Sequence, residues 1–306
     1  MACVAFDLDN TLGFFEVTNA LAYLWSPQFL ENPEQSRRNG PLKLSQKLCT
    51  KLRQARLSFA HSLLRDRDIL AIVLRPNLDA MILPLLEAKR QRQRQLKTVI
   101  MYSNTGVSYS TELAKNLIET MYKSPGLFSL IADHWHPLRS ADHPNHRPGQ
   151  YVEPRKTIET LQLLFKRASR SSNDIPLQNI LFVDDRTPKH ALQQQEPAGL
   201  TYLVPSHFVP MITDEQKDYI LFLALTALEE HGILSNKEYL ESGFCFRDIP
   251  YEMTKRHSIR GFPDLLEYVS NAMDRVHGSV NPWTPDTQAI SRQVEEFLEQ
   301  VRKYKV

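Results

Sequence analysis

The sequence predicts an α/β fold built on a doubly wound, Rossmann-like parallel sheet, and three observations favour this class. Short apolar runs alternate along the chain with longer segments of helical periodicity, as expected when helical crossovers join parallel strands. Several of these runs end directly in acidic or small polar residues, as the strands of ligand-binding parallel sheets do. The 306 residues are 42% hydrophobic, which is enough material for a sizeable core.

The predicted core elements follow one another in a simple order. They are a first strand before Asp7, a helix at 77–95, a strand from Thr98, a helix at 109–121, a strand at 127–133, a helix after Lys156, a strand from Asn179 and a short strand at 200–204. We therefore assign residues 1–12 and 75–210 to one α/β core.

Two further regions flank or interrupt this core. Residues 13–74 form an insertion after the first strand, beginning with the aromatic residues Phe14, Phe15, Tyr23, Trp25 and Phe29 and continuing with a long helical pattern from Leu42 to Leu70. Residues 211–306 are expected to form an all-α C-terminal extension, with helices at 214–231, 264–276 and 289–304. The extension could pack on the core, mediate dimerisation or bind a partner.

Two carboxylates leave the end of the first strand together, in the segment 4–11 (VAFDLDNT). Because strand residues alternate faces, Asp7 and Asp9 point the same way and can meet one phosphate and one Mg2+. Phosphoryl transfer needs a nucleophile and a proton donor for the leaving oxygen, and this pair can divide those roles. We expect Asp7 to attack and Asp9 to act as the acid and base; solvated acids at a strand end are the alternative.

Three later segments contain residues that could bind the same phosphate or the same Mg2+. The strand in the segment 98–105 (TVIMYSNT) leads to Ser103, which can donate to a phosphate oxygen; an ordinary turn or helix cap is the alternative for this segment. Lys156 precedes a helical pattern and could neutralise a bound phosphate, with Arg155 as its rival. The strand at 179–186 (NILFVDDR) ends in two adjacent acids.

In this order, the four segments resemble the motifs of the haloacid dehalogenase superfamily of aspartate-nucleophile phosphohydrolases. The resemblance implies that Asp7 is the nucleophile, Asp9 the acid/base, and Ser103, the backbone of Asn104 and Lys156 the phosphate ligands. It implies a Mg2+ site formed with Asp184 and Asp185, in which Asp185 is favoured as the direct ligand and the register between the two stays open. The third acid that usually follows this motif is missing.

The resemblance implies a Mg2+-dependent phosphatase acting on phosphate monoesters through an aspartyl-phosphate. A helical insertion at 13–74 would form a cap that selects a small phosphorylated substrate, whereas helices packed beside the sheet would leave the cleft open. Arg75-Pro76 also resembles the polymerase-tail phosphatases, which favours a phosphoserine or phosphothreonine protein as the alternative substrate. A non-catalytic scaffold and phosphotransfer to another acceptor are further hypotheses.

Composition adds weaker constraints. The net charge of +2 neither demands nor excludes nucleic acid, and three unpatterned cysteines indicate reduced thiols. The first strand begins within a few residues of Met1, and no apolar run reaches the length of a membrane span. We therefore expect a cytoplasmic or nuclear protein without a membrane partner; its oligomeric state is open.

A basic run and a histidine-rich loop could indicate binding sites, but a structural explanation is favoured for each. The basic run from Lys89 to Lys97 suits the negative end of a helix better than a nucleic-acid patch, since it lacks interleaved aromatic residues. The histidine-rich loop at 133–146 lacks cysteines, so a polar loop near the cleft is favoured over a zinc site. His134 or His136 could contact substrate.

Overall fold

The protein was analysed as a computed structural model. It describes residues 1–25, 45–91, 96–105, 108–134, 136–142, 156–192, 198–240, 243–247, 256–260, 262–279 and 286–303.

A five-stranded, all-parallel sheet forms the centre of the molecule. Its strands are β1 (Ala2–Phe6), β2 (Leu96–Tyr102), β3 (Leu130–Ala132), β4 (Ile180–Val183) and β5 (Thr201–Leu203), in the spatial order β3-β2-β1-β4-β5. Phe6, the last residue of β1, is in register with Met101 of β2 and Val183 of β4. The chain builds outward from β1 on one side and then crosses back to β4, so the strand order reverses between β1 and β4.

Alternation of side chains along β1 divides the core into two layers. Val4 and Phe6 contribute to the larger layer, which includes residues of α5 (Asp79–Arg90) and α6 (Ser108–Met121). Cys3 and Ala5 face the smaller layer, which is covered by α7 (Ile158–Ala168). Helices on both faces make this a doubly wound, Rossmann-like α/β fold, as predicted.

The insertion after β1 is helical in its described part. It comprises α1 (Glu16–Asn19), α2 (Ala22–Trp25), α3 (Gln46–Arg65) and α4 (Arg67–Val73), and its buried side chains belong to the larger core layer. The single helical pattern predicted from Leu42 to Leu70 is interrupted at Asp66. The Asp66 side chain accepts hydrogen bonds from the backbone N–H groups of Asp68 and Ile69 and so begins a new helix. Phe29 lies outside the described residues, and the role of the insertion as a cap remains a prediction.

The prediction that residues 211–306 are all-α was wrong. This region contains α9 (Asp214–Glu230), α10 (Lys237–Leu240), α11 (Phe262–Asp274) and α12 (Thr287–Lys303), but also an antiparallel pair, β6 (Gly243–Arg247) and β7 (Arg256–Arg260). The β6 sequence GFCFR alternates apolar and smaller or polar residues only briefly, and the β7 sequence RHSIR has one large apolar residue, so neither strand has a clear period-2 pattern. Helix α9 packs against α3, and α12 packs against α5.

Three short elements complete the described structure. They are 3-10 turns at Pro137–Asp142 and Leu177–Asn179 and helix α8 (Pro188–Ala191). No helix in the described part of the chain combines the length and the apolar character that a membrane span requires.

Candidate active site

The turn after β1 presents the two predicted catalytic acids at the carboxyl edge of the sheet. The Asp7 backbone N–H donates to the Val183 carbonyl at 2.8 Å, which continues the pairing with β4 beyond the strand. The chain then turns through Asn10, whose φ of 60° lies in the left-handed region that asparagine tolerates. Asp7 is buried and Asp9 half-buried, so neither acid is freely exposed to solvent.

Lys156 joins this turn to the end of β4. Its Nζ lies 2.5 Å from Oδ1 of Asp7 and 2.6 Å from Oδ2 of Asp184, and all three side chains are almost entirely buried. The other Asp184 oxygen accepts a hydrogen bond from the Arg186 backbone N–H at 2.9 Å. Burial lowers the pKa of Lys156, but the two carboxylates outweigh it and raise the pKa above its ordinary value, so the ammonium is charged.

The start of α7 places Lys156 in this position. Thr157 caps the helix by accepting from the Thr160 backbone N–H, while its own N–H donates to the hydroxyl of Tyr102 at 2.9 Å. Tyr102 stacks on Phe182, with ring centroids 6.1 Å apart, and Nζ of Lys156 lies 5.4 Å from the Phe182 centroid. The rival cation Arg155 lies outside the described residues.

Asp7, Asp184 and Asp185 can each offer a ligand atom within 4.8 Å of the others, and they are the one group of this kind in the described part of the chain. Clustered carboxylates are the donor set that Mg2+ prefers, so these residues fit the ion. The Asp184 side chain is fully buried against Lys156, and the Asp185 side chain is almost as buried, with 3% of its surface exposed. The Asp9 carboxylate is not a member of this group, and its role as a metal ligand remains a prediction.

The two acids of the first motif have pKa values that burial moves upward by different amounts. Burial raises the pKa of Asp7 to about 6, with nearby Asp184 adding to the rise and Lys156 opposing it. Burial, together with the charge of Asp7, raises the pKa of Asp9 to about 8. Oδ1 of Asp9 is buried and has no hydrogen-bond partner among the residues that the structure describes. Asp9 therefore holds its proton to a higher pH than Asp7 does.

Asp185 is held by two partners from different parts of the chain. Its Oδ1 accepts from the Thr11 hydroxyl at 3.2 Å, and its backbone N–H donates to the same hydroxyl oxygen at 2.9 Å. Its Oδ2 lies 2.5 Å from Nδ1 of His207, in the loop after β5. Burial raises the pKa of Asp185, but the bond to His207 and the other polar contacts outweigh it and lower the pKa below the ordinary value.

Ser103 and Asn104 follow β2 at the same edge of the sheet. The Ser103 hydroxyl oxygen accepts from the Thr105 backbone N–H at 3.1 Å. Buried Arg139, in the 3-10 turn at Pro137–Asp142, donates to the Ser103 carbonyl and, at 2.7 Å, to Oδ1 of Asn104. Its guanidinium also stacks over Tyr102, 5.0 Å from the ring centroid. Arg139 thus supports the loop predicted to bind phosphate.

Arg75 supports the turn after β1 in the same way. Its guanidinium is buried and donates to the carbonyls of Thr11 at 2.7 Å, Asn10 at 2.6 Å and Ser206 at 2.5 Å. It also lies over the Phe208 ring, 5.6 Å from the centroid. A single side chain therefore ties the loop after β5 to the turn that carries Asp9.

Sequence patterns located the acids and Lys156 but gave no sign of the contacts made by Arg75, Arg139 and His207. A buried arginine has no local pattern that reveals its acceptors, although Arg75 was noticed beside Pro76. His136 accepts from the Leu138 backbone N–H at 3.3 Å, while residues 143–155 lie outside the described part of the chain. Lys89 and Arg90 lie in the last turn of α5, as expected for a helix end; residues 92–95 are not described.

Comparison with protein-family models, with characterised proteins and with solved structures finds no match to this chain.

Proposed function

We propose that this protein is a Mg2+-dependent phosphatase that hydrolyses phosphate monoesters through an aspartyl-phosphate on Asp7. The observation that carries the proposal is the buried contact of Lys156 with Asp7 and Asp184, which together with Asp185 form the three-carboxylate group. A cation held against a carboxylate keeps that carboxylate ionised and positioned to attack. The resemblance of the four motifs to the haloacid dehalogenase superfamily supports the same assignment.

The first half-reaction transfers the phosphoryl group to the protein. A carboxylate oxygen of Asp7 attacks phosphorus while the bond from phosphorus to the leaving oxygen breaks. Asp9, whose pKa is about 8, gives its proton to that oxygen, so the product leaves as an alcohol. Ser103, the backbone of Asn104 and Lys156 supply donors and positive charge to the phosphoryl oxygens.

The second half-reaction returns the protein to its starting state. Asp9, now a carboxylate, removes a proton from water as the water oxygen attacks phosphorus. The bond between phosphorus and Asp7 breaks, which releases inorganic phosphate and restores both acids. The group formed by Asp7, Asp184 and Asp185 would hold Mg2+, which when bound offsets the negative charge on the phosphoryl oxygens.

Hydrolysis of p-nitrophenyl phosphate tests the proposal, measured with Mg2+ and with EDTA for the wild type and Asp7→Asn. We expect Mg2+-dependent turnover that Asp7→Asn abolishes while its circular dichroism spectrum stays unchanged, because an amide cannot act as the nucleophile. Asp174→Asn is the matched control, since Asp174 forms an exposed pair with Lys166. Substantial turnover by Asp7→Asn would overturn the assignment.

The substrate class follows from a second screen. Small phosphate esters and phosphoserine or phosphothreonine peptides would be compared by kcat/KM, because the insertion at 13–74 and the Arg75-Pro76 segment favour different substrates. Alcohols added to the assay would reveal transfer to an acceptor other than water. A wild type that is inactive on every ester and does not bind Mg2+ with beryllofluoride would favour a binding protein instead.

A further inference from the structure

The Asp185 carboxylate is fixed from two sides by groups that are far from it in sequence. The Thr11 hydroxyl lies 3.2 Å from Oδ1, and Nδ1 of His207 lies 2.5 Å from Oδ2. A carboxylate has no proton to donate, so Nδ1 of His207 carries the hydrogen of this bond. Both oxygens of Asp185 therefore have an oriented partner, which restricts rotation of the side chain.

The loop that carries His207 is itself held in place on both sides of the residue. The Ser206 carbonyl accepts from Arg75 at 2.5 Å, and the Phe208 N–H donates to the Asn10 carbonyl at 3.1 Å. Phe208 also packs under the Arg75 guanidinium. The His207 ring is 56% exposed, yet its backbone is anchored to the turn that carries Asp9.

We propose that His207 is a positioning residue for Asp185, which it holds in the orientation that binds Mg2+. This inference rests on the proposed function, because it assigns Asp185 to the metal site of that phosphatase. Side chains that do not touch the metal orient metal-binding carboxylates through hydrogen bonds. Losing one such hydrogen bond typically weakens metal affinity by roughly 10–100-fold. His207 itself touches neither the nucleophile nor the proton donor in the contacts described above.

Titration calorimetry with Mg2+ on the full-length protein tests this role directly, without any turnover. His207→Ala should raise the Kd for Mg2+ roughly 10–100-fold. His207→Asn should recover most of the affinity, because its amide nitrogen can replace Nδ1 as a donor. His190→Ala is the matched control, since exposed His190 contacts the Thr187 hydroxyl at 2.8 Å instead of a site acid.

Kinetics separate a positioning role from a general structural one. For His207→Ala we expect the Mg2+ concentration needed for half-maximal activity to rise, while the KM for p-nitrophenyl phosphate at saturating Mg2+ stays unchanged. Equal Mg2+ affinity in wild type and His207→Ala would overturn the inference, as would a His207→Asn variant as weak as His207→Ala. A wild type that binds no Mg2+ would overturn it too.

The two proposals fail in different ways. If the wild type is active and His207→Ala binds Mg2+ equally well, the phosphatase proposal holds and the positioning role of His207 is wrong. A wild type that hydrolyses no ester, but whose Mg2+ affinity falls in His207→Ala, would support the positioning role and overturn the proposed activity.

Discussion

The ammonium of Lys156 lies 2.5 Å from the Asp7 carboxylate, and the two groups are buried together at the carboxyl edge of the sheet. Asp184 contacts the same ammonium from the end of β4. One cation therefore compensates two buried acids at the point where the strand order reverses. The same contact therefore bears on the stability of the fold and on the proposed phosphatase activity.

Lys156→Ala should destabilise the protein strongly. The substitution leaves Asp7 and Asp184 buried without their cation. Removing one partner of a buried ion pair lowers the free energy of unfolding by about 3–5 kcal/mol. Urea denaturation at pH 8 measures the change. Lys166→Ala is the control, because Lys166 pairs with Asp174 at 3.4 Å on the surface, where such pairs contribute about 0–1 kcal/mol. An equal decrease in the free energy of unfolding in the two variants would show that the buried Lys156 contact adds no more stability than a surface pair.

Asp9→Asn should slow the reaction by an amount that depends on the leaving group. General acid catalysis contributes about 10²–10⁴-fold, and it matters most when the leaving oxygen is strongly basic. We therefore expect kcat/KM to fall further for an alkyl phosphate than for p-nitrophenyl phosphate, whose leaving group needs little protonation. Asp174→Asn, which alters an exposed acid paired with Lys166 at 3.4 Å, serves as the control. The same loss with both esters would exclude Asp9 as the proton donor.

Without metal, the stability of the protein should depend on pH through Asp9. The pKa of this carboxyl is about 8 in the folded protein against 3.8 for an ordinary aspartate, so the folded state binds the proton more tightly. Ionisation therefore opposes folding, and the free energy of unfolding should fall as the pH rises from about 4 to 8, by an amount on the order of a few kcal/mol.

Asp9→Asn replaces the ionisable carboxyl with a neutral amide. The part of the pH dependence of the unfolding free energy that comes from Asp9 should therefore disappear in this variant. In EDTA, we expect the melting temperature of the variant to exceed that of the wild type at pH 9 and to approach it at pH 4. A difference between the two proteins that does not change with pH would contradict the burial of the Asp9 carboxyl.

Arg75→Lys should lower both stability and activity despite keeping the charge. Three backbone carbonyls accept hydrogen bonds from the Arg75 guanidinium, and an ammonium cannot reproduce that planar arrangement of donors. Each lost bond to a charged group costs about 1.5–3 kcal/mol. Urea denaturation and kcat for p-nitrophenyl phosphate measure the two effects.

The control for this substitution is Arg56→Lys, which alters a pair with the half-exposed Glu112 on the surface. We expect that variant to resemble the wild type in both assays. If Arg75→Lys also resembled the wild type, the turn after β1 would not depend on the guanidinium.

Much of the sheet could be predicted from the sequence because a strand of a parallel sheet is a local apolar run. The apolar runs before Asp7 and Asp184 predict β1 and β4 in this way, and the acids that follow them indicate the edge of the sheet. Predicted ends were less accurate. The helix expected at 77–95 is Asp79–Arg90, and the strand expected at 127–133 is Leu130–Ala132, because fraying ends depend on what packs against them.

The sequence by itself determined the α/β class, the succession of the core strands along the chain and the acids that follow them, because these depend on local periodicity and residue type. Only the tertiary structure decided that Lys156 bridges Asp7 and Asp184, that Arg75 joins two distant loops and that His207 reaches Asp185. Those contacts connect residues far apart in the chain, and they depend on how complete elements pack. No local pattern encodes that packing, so it is visible only once the sheet and its loops are assembled.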